Sequence, residues 1–349
     1  MRRGSTFLLA FLLLSMSLLA ACGTKPAATP GTAGSAGEGA ANADQVVTIA
    51  IGSAAPDTET SHYHQFLVAF KEQVEKETAG KVKITMHPNG VLGGEREMVE
   101  AVQLGTLDAV ITGAGPLGNF APLFNALDFP FLFRDREHAY KVLDGELGRE
   151  IAKQLEDQGM KLIVWPENGF RNMTNNKHPI KKPEDLKGLK LRTQENKVHL
   201  DVFRDYGASP TPMAFTELFT AMQQGVIDGE ENPLSVIIPN KFYEVQKYMT
   251  ISEHFYQAAP FIINLAKYDS LTPEQQKIIQ AAAEAARDHE REFIFKMDNE
   301  FLQTARENGM QIVPREEFDR EAFVQASEHV YKKYEKEYGD LIEKIRNTQ

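Results

Sequence analysis

One uninterrupted helical pattern near the C-terminus constrains the fold more than any other feature. Thr272 is suited to an N-cap, Pro273 fits the first helical position, and Glu274 adds an acid to the first turn. No breaker follows until Asn308 and Gly309, which form a C-cap signature. A helix of about 35 residues is roughly 50 Å long. Few single lobes are that wide, so we expect this helix to span two lobes.

The chain that precedes this helix alternates between strand and helix patterns. The first alternation places strands at 46–51, 82–86 and 108–112 and helices at 62–78 and 95–104. This β-α-β-α-β order predicts an α/β lobe with a largely parallel sheet.

A second alternation follows an apolar crossing segment at 127–133. Further elements are predicted as helices at 136–143, 146–158, 197–206, 215–224 and 316–346 and as strands at 160–165, 170–175 and 189–193. The apolar segment 261–265 is able to return to the first lobe. We therefore assign 45–168 plus 258–297 to lobe I, and 169–257 plus 298–349 to lobe II.

The N-terminus has the layout of a secretory signal. Arg2 and Arg3 precede a short apolar run, and Leu-Ala-Ala-Cys ends at Cys22. This sequence resembles a lipobox, which predicts a signal peptide at 1–21 and a lipid on Cys22; the alternative is a plain signal peptide with a chance cysteine. Segment 22–44 has almost no large apolar side chain and is predicted to be a disordered tether. We expect an extracytoplasmic protein held at a membrane.

Charge and cysteine content exclude several classes of function. The chain has 38 Lys and Arg against 49 Asp and Glu, a net charge of −11. A protein with this net charge binds nucleic acid and anionic lipid poorly, so we expect Cys22 to supply the attachment to the membrane. Cys22 is the only cysteine, so a lipidated chain has no thiol for catalysis, metal binding or disulfides.

Two clusters of polar residues invite a catalytic or metal hypothesis. His62 and His64 form an H-x-H pair, but at a helix entry their rings diverge and no further ligand lies at suitable spacing. Glu230 and Glu231 are adjacent acids; neighbours on an extended segment point to opposite sides, and a turn is the preferred interpretation. No nucleotide-binding or nucleophile motif is present, so we expect neither an enzyme nor a cofactor or metal.

Two arginines are better candidates for ligand binding. Arg171 lies in a Gly-Phe-Arg-Asn segment, and Arg192 closes an apolar strand. An arginine at a strand end faces the edge of the sheet where open α/β folds bind ligands. Its planar fork matches a carboxylate. The alternative is an ordinary surface salt bridge.

The segments around these arginines resemble a known family. Asn-Gly-Phe-Arg at 168–171, Pro-Glu-Asp-Leu-Lys-Gly-Leu-Lys-Leu-Arg at 183–192, Pro-Thr-Pro-Met-Ala-Phe at 210–215 and Asp-Gly-Glu-Glu-Asn-Pro at 228–233 are similar to blocks of the DctP-type solute-binding proteins of TRAP transporters. The resemblance extends in order over about 46–335. It implies a two-lobed fold of the type II periplasmic-binding-protein kind, with hinge strands and a long helix that spans both lobes.

The resemblance also implies a function and a site. The expected function is capture of an organic acid, a dicarboxylate or a sugar acid, for delivery to an ion-gradient-driven TRAP permease. Arg192 corresponds to the arginine that pairs with the ligand carboxylate and Arg171 to a second contact or support. The other positions that it places at the ligand are His62, Thr112, Gly113, Glu195, Phe215 and Asn232.

The sequence departs from the family pattern at three positions. Glu230 replaces a frequent glutamine, and His62 and Gly113 stand where acidic-sugar receptors carry asparagine and glutamate. The carboxylate clamp is expected to survive, and Gly113 leaves room for a bulkier or less polar ligand tail. Other interpretations that remain open are a binding protein for another importer or a sensor kinase, and a hydrolase of carboxylated substrates.

Overall fold

The computed structural model describes residues 46–349, so the predicted signal peptide, tether and lipidated Cys22 lie outside it. The strands are β1 (Val47–Gly52), β2 (Val82–His87), β3 (Ala109–Ile111), β4 (Met160–Val164), β5 (Glu167–Asn175), β6 (Lys190–Thr193), β7 (Ser209–Pro212), β8 (Gly229–Pro233), β9 (Tyr248–Ala258), β10 (Phe261–Asn264) and β11 (Gln311–Val313). The helices are α1 (His62–Glu77), α2 (Glu95–Gln103), α3 (Arg136–Leu143), α4 (Glu146–Lys153), α5 (Lys197–Asp205), α6 (Phe215–Gln223), α7 (Leu234–Ile237), α8 (Leu265–Asp269), α9 (Pro273–Glu307), α10 (Arg320–Ala326), α11 (Glu328–Lys333) and α12 (Glu335–Asn347).

The strands form two sheets, one in each lobe. The first has the order β2-β1-β3-β10-β4, with β1 parallel to β2 and β3 and with β10 antiparallel to both of its neighbours. The second has the order β11-β9-β5-β8-β6-β7 and mixes parallel and antiparallel pairs. The predicted α/β class with two lobes is confirmed, and the return of the chain to the first sheet through β10 agrees with the sequence.

The chain crosses between the two sheets three times. It crosses from β4 to β5, from β9 back to β10, and along α9. The first two crossings lie side by side, because the Ala259 amide donates a 2.8 Å hydrogen bond to the Pro166 carbonyl. These segments are where a hinge between the lobes would act.

Helix α9 spans both lobes, as its length predicts. Its 35 residues start at a capping box in which Thr272 and Gln275 exchange side-chain and backbone hydrogen bonds. The N-terminal half buries Ile279 and neighbouring alanines in the core of the first sheet. The C-terminal half buries Phe301 and Ala305 in a separate core beside α6 and α7.

Some predicted elements are wrong in detail. The single helix predicted over 316–346 is three helices, because the chain breaks at Ser327 and Tyr334; the Ser327 hydroxyl donates back to the Phe323 carbonyl. The helix predicted over 146–158 ends at Lys153. Strands β7, β8, β9 and β11 were not predicted from the sequence. Within 46–349, none of the helices combines the length and apolar character needed to cross a membrane.

Candidate ligand-binding site

A narrow cavity lies between the two lobes, with about 20 Å³ of free space. Its lining comes from the first lobe through Ala54, Ala55, Pro56, Ser61, His62, Tyr63 and Glu95, and from the second lobe through Gln194, Phe215, Asn232, Ser235, Val236 and Asn240. Asn168, near the start of β5 where the chain crosses between the sheets, also lines it. This space holds about one water molecule, so the lobes have to separate before a larger molecule can enter. Both lobes contribute polar groups, so a bound molecule would touch both.

Arg192 is the penultimate residue of β6, lies beside this cavity and is buried with an unused donor. Its side chain is 1% exposed, and its Nε and Nη2 donate to the Met213 carbonyl at 3.0 and 2.8 Å. Nη1 has no hydrogen-bond partner in the described part of the chain. The guanidinium lies 6.0 Å from the ring centre of Phe215, which lines the cavity. Burial lowers the pKa of Arg192, and Glu95 opposes that shift.

Arg171 on β5 is also buried, but the protein neutralises it. Its Nε lies 2.5 Å from Glu231 Oε2, its Nη2 donates to Glu231 Oε1 at 2.8 Å, and its Nη1 donates to Gln257 Oε1 at 2.5 Å. Burial would raise the pKa of Glu231, but Arg171 outweighs burial and the pKa is lowered. The pair is therefore ionised, and the geometry favours a supporting role for Arg171 over a direct ligand contact.

A chain of amide hydrogen bonds connects the lobes behind the cavity. His62 Nε2 lies 2.8 Å from Asn168 Oδ1, and Asn168 Nδ2 donates to Gln257 Oε1 at 2.9 Å. Gln257 Nε2 in turn donates to Gln194 Oε1. Gln257 also accepts from Arg171, so the first residue of α1 is linked to the buried ion pair of the second lobe.

His62 enters the cavity at the start of α1. It is 2% exposed, and its Nδ1 has no partner among the described residues. Burial lowers its pKa to about 4, against smaller upward effects from Asn168 and the Ser235 backbone. The ring is therefore neutral at neutral pH. His64 points away and binds Asp57 at 2.7 Å, so the two rings diverge as predicted; no metal-ligand cluster is found within 46–349.

Thr112 and Gly113 follow β3 and hold a carboxylate that sequence reasoning missed. Glu95 Oε1 accepts from the Gly113 amide at 2.9 Å and from Thr112 Oγ1 at 3.2 Å. A Cβ on Gly113 would lie 2.9 Å from Gln194 Nε2, so Gln194 fills the space that the absent side chain leaves. The position of Glu95 at the first turn of a short helix carried no signal of this role.

Glu195 does not lie in the cavity. Its carboxylate is 3.6 Å from Arg96 Nη1, and its side chain is partly exposed. The preceding residue, Gln194, lines the cavity instead. Successive side chains on an extended segment point to opposite sides, so an offset of one residue exchanges the inner and outer positions.

Phe215 and Asn232 lie at the cavity, as the resemblance implies. Asn232 Nδ2 donates to Glu230 Oε2 at 2.5 Å, and Thr174 Oγ1 donates to Glu230 Oε1 at 2.7 Å. Burial raises the pKa of Glu230 to about 7, which these bonds partly oppose. The predicted turn at Glu230 and Glu231 is wrong: both residues are in β8, where their side chains face opposite sides of the sheet.

Comparison with known proteins agrees with this architecture. A solute-binding protein of Verminephrobacter eiseniae is 44% identical over 83% of this chain and 87% of its own. The 2,3-diketo-L-gulonate-binding periplasmic protein YiaO of Escherichia coli is 35% identical over 77% of this chain and 81% of its own. A crystal structure of a TRAP periplasmic solute-binding protein from Polaromonas sp. JS666, bound to D-erythronate, is 43% identical with a TM-score of 0.84, over 87% of this chain and 99% of that one.

The family assignment rests on most of the chain. The model of the DctP family, described as bacterial extracellular solute-binding protein family 7, matches residues 52–337. The similarity in structure confirms the two-lobed, periplasmic-binding-protein-like fold. The resemblance seen in the sequence is confirmed, and so is the prediction that the protein is a binding protein and not an enzyme. This chain belongs to the DctP family of extracellular solute-binding proteins.

Proposed function

We propose that this protein is the receptor of a TRAP transporter and that it captures an organic acid by pairing the acid's carboxylate with Arg192. The observation that carries this proposal is the unpartnered Nη1 of Arg192, buried beside a cavity between the lobes. A buried guanidinium without an anionic partner is costly, so a carboxylate that reaches it gains a strong, charge-assisted pair.

The ligands of two relatives support this class of ligand. The Polaromonas protein holds D-erythronate, and YiaO is a 2,3-diketo-L-gulonate-binding protein. Both ligands are sugar acids that carry one carboxylate. A dicarboxylate is the alternative for this chain.

Capture is proposed to proceed by closure of the lobes. The carboxylate first pairs with Arg192 in lobe II, where Arg171, Phe215 and Asn232 support the site. Contacts with His62 and with the segment at Thr112 and Gly113 then favour the closed state. A ligand shifts the lobes only by its greater affinity for that state, so contacts from both lobes are required. We place the lobes at 45–168 plus 258–297 and at 169–257 plus 298–349.

Delivery is proposed to occur beside the membrane. A lipid on Cys22 would keep the receptor close to its permease. The family supports an extracytoplasmic location, and the net charge of −11 offers no attraction to an anionic lipid surface. A receptor for another importer or a sensor kinase would use the same binding chemistry.

Titration calorimetry with a library of organic acids tests the proposal. We expect at least one acid to bind, and Arg192→Ala to weaken it by about 100-fold or more, because the variant leaves the carboxylate without its partner. Arg192→Lys should also weaken binding, since an ammonium lacks the planar fork. The control is Arg204→Ala, an exposed arginine of α5 that pairs with Asp201. Unchanged affinity in Arg192→Ala would rule out the clamp.

A further inference from the structure

We propose that the cavity selects a polyhydroxylated monocarboxylic acid over a dicarboxylic acid of the same length, and that Glu95 and His62 are the residues that recognise a ligand hydroxyl. This inference rests on the proposed function and specifies its ligand class. It follows from the charges and unused hydrogen-bonding atoms around the cavity.

The charges at the cavity match one carboxylate. Within residues 46–349, the cavity lining contains no lysine and no arginine. Arg192 lies near the cavity, next to Phe215, and has no carboxylate partner among the described residues. Arg171 is already paired with Glu231. A second ligand carboxylate would find no cation of its own.

The carboxylate of Glu95 is an oriented acceptor on the first-lobe side. Gly113 and Thr112 both donate to its Oε1 and fix its direction. Its Oε2 accepts no hydrogen bond from the described residues and lies on a side chain that lines the cavity. A hydroxyl can donate to this oxygen, whereas a second ligand carboxylate would be repelled by it.

His62 provides a second unused atom. Asn168 directs its amide nitrogen to Gln257, so its oxygen faces His62 Nε2, which therefore carries the proton. The buried Nδ1 has no hydrogen-bond partner among residues 46–349. Because burial holds the pKa of His62 near 4, the ring gains no second proton at neutral pH. A ligand hydroxyl satisfies Nδ1, and a carboxylate does not.

These two atoms lie on first-lobe residues that line the cavity, and Arg192 lies in the second lobe. A hydroxy acid can therefore place its carboxylate on lobe II and its hydroxyls on lobe I. A dicarboxylate would bury an unpaired charge near Glu95 and leave Nδ1 without a donor. We expect such a site to reject the diacid by at least about 100-fold.

Calorimetry with matched pairs of acids tests this selection in the mature protein. The pairs are 2,3,4-trihydroxybutanoate with butanedioate, and 2,3,4,5,6-pentahydroxyhexanoate with hexanedioate. We expect the hydroxy acid to bind at least about 100-fold more tightly than the diacid in the pair for which binding is measured. Equal affinity, or preference for the diacid, overturns the inference and leaves the receptor function intact. Absence of binding by every acid overturns the proposed function itself.

Two variants separate recognition from a structural role. Glu95→Gln removes the charge but keeps an acceptor for Gly113, so preference for the hydroxy acid should fall by about 10-fold or more. His62→Phe removes the acceptor and also the bond to Asn168, so affinity should fall for both acids and fall further for the hydroxy acid. The control is Glu100→Gln, an exposed residue of α2. A structural role would weaken both acids equally and leave their ratio unchanged, which is the result that would overturn the assignment.

Discussion

The side chains of Arg171 and Glu231 form an ion pair from which water is excluded on both sides. Removing one partner leaves a buried charge without its counter-ion, which costs about 3–5 kcal/mol. We therefore expect Glu231→Gln to lower the free energy of unfolding by about that amount in urea denaturation.

The matched control is the half-exposed pair of Lys181 and Glu317, whose nitrogen and oxygen lie 2.5 Å apart. Glu317→Gln should cost at most about 1 kcal/mol, because water screens an exposed pair. Similar small losses in both variants would show that Arg171 has no need of Glu231.

His62 makes stability depend on pH on the acid side. Its pKa is about 4 in the folded state against 6.5 when unfolded, so the unfolded state binds more protons between these values. Stability from this group is complete above pH 6.5 and is lost as the pH falls toward 4. Urea titrations at pH 7 and pH 4.5 should show the wild type losing roughly 2–3 kcal/mol more than His62→Asn.

Glu230 has the opposite effect. Its pKa is raised from 4.5 to about 7 by burial, so its contribution is complete below pH 4.5 and is lost as the pH rises through 7. Glu230→Gln removes the buried acid at similar size. The free energy of unfolding of the variant, minus that of the wild type, should be higher at pH 8 than at pH 4 by up to roughly 3 kcal/mol. An advantage that does not change with pH would contradict the assignment.

Cys22 gives a test of membrane attachment. It is the only cysteine of the chain, so metabolic labelling with a clickable fatty acid has no other cysteine to report. Cys22→Ala should abolish the label and move the protein from the membrane fraction to the soluble extracytoplasmic fraction. Ligand affinity of the released protein should equal that of the wild type, which serves as the control for folding.

The sequence predicted correctly those helices and strands that are marked by periodicity or caps in adjacent residues. The first β-α-β-α-β run and α9 agree with the structure to within about two residues, because periodicity and caps are encoded in adjacent positions. Strand β9 was missed because Ser252, Glu253 and His254 interrupt its apolar pattern. Strand β8 was missed because Glu231 is acceptable there only through Arg171, 60 residues away in sequence.

The site was predicted less completely than the fold. Arg192, His62, Phe215 and Asn232 were placed by resemblance and lie at or beside the cavity. Glu195 was predicted at the ligand in place of Gln194. The side of an extended segment to which a side chain points depends on the strand register, which is set by pairing in the folded protein. Glu95 was missed because its role depends on the backbone of Gly113, which reaches it only in the folded chain.

Helix α9 also bears on how the protein loses its structure. Because it contributes Ile279 to one core and Phe301 to another, loss of the whole helix removes packing from both cores. A chain with two sheets would ordinarily be able to unfold in two steps. Here the shared helix couples the cores thermodynamically, so calorimetric heating should give one cooperative transition whose van't Hoff and calorimetric enthalpies agree.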